Sequence, residues 1–121
     1  RHCSKLGYPA EHVLCSSGMV IHPAFSRAAD ADEPPPRSPL LPPRALIFFG
    51  GYAPNGVHGL VRSLHASHVR LELVVLCGGN EKLRKSLERS QLCSAVEGML
   101  PPEQVAEHMR SCTFVIGKPG P

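Results

Sequence analysis

The chain has 121 residues, 13 Lys and Arg against 10 Asp and Glu, a formal net charge of +3, and 42% hydrophobic residues without a single Trp. That apolar content suits one modest core and is too high for a disordered chain. The charge is small, scattered and not interleaved with aromatic residues, so no nucleic acid is expected as a partner, and no apolar run approaches the ~20 residues of a membrane span.

The opening stretch, Arg1 to Ala10, carries neither an initiating Met nor a secretory apolar region and reads as the interior of a longer polypeptide. One short apolar run, Val13-Leu14-Cys15, follows. The cysteines are Cys3, Cys15, Cys77, Cys93 and Cys112. Their odd number, irregular spacing and lack of a C-x-x-C pair argue against a disulfide framework and for reduced thiols in a reducing compartment. Cys77 and Cys112 stand in or beside apolar runs, where a thiol acts as a small hydrophobe. His2, Cys3, His12 and Cys15 fit no common structural zinc spacing, so no metal is expected.

Residues 28–43 change character, because six of the chain's 13 prolines fall there. Proline removes backbone donors and fixes φ, so this stretch sustains neither a helix nor a ladder and is expected to be an exposed linker or insertion. The chain thus divides into 1–27, the end of a preceding domain with an interdomain segment; 28–43, the linker; and 44–121, the ordered unit.

That unit alternates. Ala45-Leu46-Ile47-Phe48-Phe49 predicts a strand ended by Gly50-Gly51, and Val57, Leu60, Val61 and Leu64 recur at helical spacing. Leu71 to Cys77 predicts a second strand, ended by Gly78-Gly79, and Asn80 is placed to cap a helix whose Leu83 and Leu87 share a face. Leu92 to Val96 predicts a weaker strand. Pro101-Pro102 suits a helix start, with Val105 and Met109 as its apolar stripe, and Thr113 to Ile116 predicts the last strand. Doubly apolar strands alternating with ten-residue helices define an α/β fold with a doubly wound parallel sheet.

Ligands of such sheets bind beyond the carboxyl ends of the strands. Three glycine-bearing loops fall there: Gly50 to Gly56, Cys77 to Asn80, and Gly117-Lys118-Pro119-Gly120-Pro121. Glycine lets a backbone approach a phosphate or a base, and the helix that follows is expected to offer free N–H groups and the positive end of its dipole. Neither G-x-x-x-x-G-K-[ST] nor G-x-G-x-x-G is present, which argues against a P-loop or a dinucleotide fingerprint.

Four segments together resemble the C-terminal domain of family 28 glycosyltransferases, the diacylglycerol galactosyl- and glucosyltransferases and the monogalactosyldiacylglycerol synthases among them. They are Ser17-Gly18-Met19-Val20-Ile21-His22-Pro23-Ala24-Phe25, Phe49-Gly50-Gly51, Leu76-Cys77-Gly78-Gly79-Asn80-Glu81-Lys82-Leu83, and Val96-Glu97-Gly98-Met99 followed by Met109 to Pro121. The resemblance implies a Rossmann-like, nucleotide-sugar-binding half of a GT-B enzyme that transfers a hexose from a UDP-sugar to a diacylglycerol-type lipid, without a metal or further cofactor. It implies Gly50 and Gly51 beside the donor phosphates, Gly78, Gly79 and Asn80 near the nucleoside, and Gly98 and Met99 at the uracil edge. Lys118, Pro119 and Gly120 would approach the diphosphate and sugar, and His22 takes a place where many members carry a phosphate-contacting arginine. It also implies peripheral membrane association facing a reducing compartment, a plastid envelope or the cytoplasmic face of a membrane.

Tyr52-Ala53-Pro54-Asn55 stand where the plant-type pattern has further glycines and an acid, and Thr113 stands in place of a common aspartate. The family pattern continues past Pro121 with a ribose-binding glutamate and is preceded by a domain with the general base and acceptor groove, so this resemblance implies an incomplete donor half with no catalytic base of its own. Two other readings share the architecture: a donor-binding subunit of a split N-acetylglucosaminyltransferase, and a nucleotide-sugar epimerase with its acidic and histidine catalytic set upstream.

Overall fold

A computed structural model describes residues 5–13, 21–26 and 38–118. Four strands, β1 (Arg44–Phe48), β2 (Glu72–Leu76), β3 (Ala95–Glu97) and β4 (Phe114–Gly117), alternate with three helices, α1 (Val57–Ala66), α2 (Glu81–Ser90) and α3 (Pro102–Ser111). All strand pairs are parallel and the sheet order is β3-β2-β1-β4. The fold is an α/β, Rossmann-like parallel sheet with flanking helices.

Successive residues of a strand face opposite sides of the sheet, and the two cores divide accordingly. Ala45 and Ile47 of β1 and Leu73 and Val75 of β2 pack with Val57 and Val61 of α1 and Leu83 and Leu87 of α2. Leu46, Val74 and Leu76 pack on the other face with Val105 and Met109 of α3. The chain steps from β1 to β2 to β3 in one direction, then returns across the sheet through α3 to place β4 on the far side of β1. The strand order therefore reverses between β1 and β4, and the carboxyl edge at that point is where such sheets leave a crevice.

Local chemistry sets the boundaries. The Asn80 side chain accepts the Leu83 N–H at 3.0 Å and starts α2, while Gln91 at φ 52° stops it. Pro102 opens α3 at its first turn, where a missing N–H costs nothing. At the amino edge Arg44 Nε donates to Glu72 Oε1 at 2.7 Å, which fixes the β1–β2 register from that end.

Two sequence expectations are corrected. The third strand is Ala95–Glu97 rather than 92–96, because Leu92 and Cys93 turn into the α1–α2 core and only the residues after them join β2. The first and last strands each lie one residue from their expected bounds, at Arg44–Phe48 and Phe114–Gly117. β4 is an edge strand, with Phe114 40% and Val115 49% exposed. Of the expected linker, residues 28–37 lie outside the described residues, as do His2, Cys3 and Cys15.

Candidate ligand pocket at the carboxyl edge

Two of the expected glycine loops are built into one another. Gly79 N–H donates to Gly51 O at 2.9 Å and Ala53 N–H donates to Cys77 O at 3.2 Å, so Tyr52 and Gly78 form an antiparallel bridge. Gly78 sits at φ +58°, and a Cβ there would run into the Gly51 carbonyl. Both the left-handed backbone and the close approach demand glycine. Asn80 locks the pair from behind. It is 1% exposed, and its Nδ2 donates to Ala53 O at 2.7 Å and to Asn55 Oδ1 at 2.9 Å. With its Oδ1 committed to the Leu83 N–H, this side chain is fastened to protein groups on every side.

In front of these loops lies a cavity of about 200 Å³. Its floor is the backbone of Gly50, Gly51, Gly78 and Gly98. Phe48 and Leu76 close it at the strand ends, and Met99, Leu100, Pro102 and Val105 form the α3 side. Phe25, brought in on a 3-10 turn at Pro23–Phe25, completes the ring of walls. Among the described residues no titratable side chain lines it.

Five expected site residues, Gly50, Gly51, Gly78, Gly98 and Met99, thus meet around one cavity. Gly79 sits just behind, with its missing Cβ position 3.9 Å from the Met99 methyl. Lys118 does not line the cavity. It follows Gly117, whose partner on β1 is Phe48, so it leaves the sheet at the β1–β4 crevice, exposed. His22 lies near the cavity but behind Phe25, the two rings meeting edge to face at 6.4 Å. Pro119 and Gly120 lie outside the described residues. Sequence reading did not assign Phe25, Phe48, Leu76, Leu100, Pro102 and Val105 to the site. An apolar residue at a strand end carries no signal that separates a pocket wall from core.

The electrostatics divide the edge into two parts. Arg84 is paired with Glu81 at 2.9 Å and with Glu88, and these carboxylates raise the pKa of its guanidinium. The hydrogen bond from Arg84 in turn holds the Glu81 carboxyl below its ordinary range. The pair packs against Gly98, whose missing Cβ would lie 3.5 Å from Arg84 Cδ. This cation is therefore neutralised, whereas Lys118 makes no ion pair among the described residues.

The helix starts also differ from expectation. Val57 N–H bonds to Pro54 O and His58 N–H to Asn55 O, because the first loop folds as a turn beneath α1. At α2 the Asn80 side chain and Gly79 O take the Leu83 and Glu81 N–H groups, and Glu81 places an acid in the first turn. So the free helix-end donors expected for a phosphate are in large part consumed, and an anion at α2 would meet a carboxylate. The cavity itself favours an apolar ring, and the crevice beside Lys118 favours an anion.

The fold and this edge define an α/β chain with a small, largely apolar cavity at the carboxyl ends of a parallel sheet. Compared with protein-family models, curated proteins and solved structures, the chain matches none of them.

Proposed function

We propose that this chain binds a UDP-sugar, with the base in the cavity and the diphosphate toward Lys118, and that it serves transfer of the hexose to a diacylglycerol-type lipid. The observation that carries the reading is the meeting of Gly50, Gly51, Gly78, Gly98 and Met99 around one cavity. Pockets for whole small ligands occupy roughly 300–1,000 Å³, so a cavity of about 200 Å³ suits one end of a nucleotide sugar. Apolar walls and a glycine floor suit a flat ring, with backbone groups left to read its edge.

In hexosyl transfer the bond from the anomeric carbon to the diphosphate breaks and the leaving UDP takes up charge. A lysine beyond β4, with no carboxylate to neutralise it among the described residues, stabilises that charge electrostatically. Since no titratable side chain among the described residues lines the cavity, the chain's part in the chemistry is donor binding, and deprotonation of the acceptor falls to another group. The same observation favours a second reading, a donor-binding subunit working with a catalytic partner, over an epimerase that needs acid–base side chains at the sugar. Among the described residues no helix is long and apolar enough to cross a membrane, and a lipid acceptor would be met by peripheral association.

The test is a titration of the ¹⁵N-labelled 121-residue chain with UDP, UDP-glucose and UDP-galactose. Amide shifts are expected at Gly50, Gly51, Gly98 and Met99. An unchanged spectrum with every uridine nucleotide at millimolar concentration overturns the reading.

A further inference from the structure

The pocket's outermost wall is not part of the sheet at all. Phe25 arrives on a short turn from a distant part of the chain, and the turn is hydrogen-bonded to α3. Arg110 Nη1 donates to Ala24 O at 3.1 Å, and His22 Nε2 stands 4.0 Å from Glu103 Oε1. Within the turn His22 Nδ1 accepts the Ala24 N–H at 3.2 Å. The His22 ring then meets Phe25 at an interplanar angle of 78°, so the aromatic ring has a fixed neighbour behind it and the cavity in front.

We propose that Phe25 is the ring-selecting residue of this site and that Arg110 is its positioning residue. The inference rests on the nucleotide-sugar reading and deepens it. A glycine floor gives a flat surface and no grip, and Met99, 67% exposed, carries an unbranched, adaptable side chain. Phe48 is anchored at the strand end and bounds the cavity at its base. Phe25 is the aromatic wall that the turn on α3 brings to the same cavity, and an aromatic wall suits a planar heterocycle. Base–aromatic contacts are tolerant of the base's identity, so Phe25 selects for the presence of a ring, not for uracil over another base. A sugar phosphate or free pyrophosphate gains nothing from it. His22 serves this wall, its Nδ1 committed to the turn, instead of facing a phosphate.

The experiment compares uridine, UDP and inorganic pyrophosphate on the full 121-residue chain by saturation-transfer NMR and calorimetry. Phe25→Ala is expected to weaken uridine and UDP alike by about tenfold, the size of one lost base–aromatic contact, and to leave pyrophosphate unchanged. Phe25→Tyr retains binding. Arg110→Ala reproduces the ring-specific loss and Arg110→Lys restores it, since one donor suffices for the Ala24 carbonyl. Phe25 is 40% exposed and outside both cores, so the variants keep the fold, which circular dichroism checks. Unchanged uridine binding in Phe25→Ala, or a loss that extends equally to pyrophosphate, overturns the inference and leaves the donor-site reading standing. Binding of uridine without UDP by the parent chain overturns the donor-site reading and leaves the ring wall standing.

Discussion

Asn80, behind the second glycine loop, reaches Asn55 in the first: its Nδ2 donates to the Asn55 Oδ1 at 2.9 Å while the same nitrogen donates to the Ala53 carbonyl at 2.7 Å. One buried amide therefore caps α2 and fastens the loop that borders the cavity. Asn80→Ala removes the cap and strands the Ala53 carbonyl, and is expected to cost about 2–3 kcal/mol in urea unfolding. Asn80→Asp keeps an acceptor for the Leu83 N–H but loses both donors, so it does not rescue stability at neutral pH. Asn55→Ala costs less, about 1 kcal/mol. A loss under about 1 kcal/mol for Asn80→Ala would refute the clamp.

Two glycines of the floor separate conformation from space. Gly78 needs both a positive φ of +58° and the absence of a Cβ, which would overlap the Gly51 carbonyl, whereas Gly50 at φ +87° has nothing within 4 Å of its missing Cβ. Gly50→Ala is expected to cost about 1 kcal/mol for backbone conformation alone. Gly78→Ala adds a clash with backbone and is expected to cost on the order of 3 kcal/mol. Equal melting-temperature losses for the two variants would show that the loops are free to part.

Lys118→Ala is expected to weaken UDP binding by about tenfold or more, the worth of a charge-assisted hydrogen bond. Uridine, which lacks phosphates, is expected to bind both proteins alike. Calorimetry with the two ligands gives the comparison, and equal losses for uridine and UDP would place the lysine away from the diphosphate. This variant and Phe25→Ala act on opposite ends of the ligand, so their ligand profiles should be complementary.

Desolvation by burial raises the pKa of the Cys77 and Cys93 thiols from 9.0 to about 11. A raised folded-state pKa means that the neutral thiol's contribution is fully present below the unfolded value and is lost as pH rises through the folded value. Stability from these thiols is therefore constant below about 9 and falls between about 9 and 11. Urea unfolding across that window, wild type against Cys77→Ala/Cys93→Ala, isolates the effect from Lys and Tyr titration. Parallel curves would show that the thiols are not desolvated in the native chain.

The α/β fold was legible because β1 and β2 are buried on both faces and so read as unbroken apolar runs, and because Asn80 and Pro102 mark their helix starts in the sequence itself. The glycine floor was legible for a related reason: paired glycines directly after an apolar run mark a strand end where the backbone turns without side chains in the way. The α3 wall was not, since Leu100 and Val105 face a cavity and the core with the same chemistry. Phe25 sits in a short proline-led turn, and its place beside residues far along the chain depends on Arg110, which no local pattern joins to it. The consumed donors at α1 and α2 were equally hidden, because a loop's own carbonyls compete for those N–H groups and their aim follows from tertiary geometry.

The interlock of the first two glycine loops also limits how such a chain can diverge. A residue inserted between Gly51 and Asn55 breaks the spacing by which Gly51 meets Gly79 while Asn55 meets Asn80, so a length change in the first loop demands a matching change in the second. The glycine side of the cavity is therefore held at a fixed length by the pairing of the two loops.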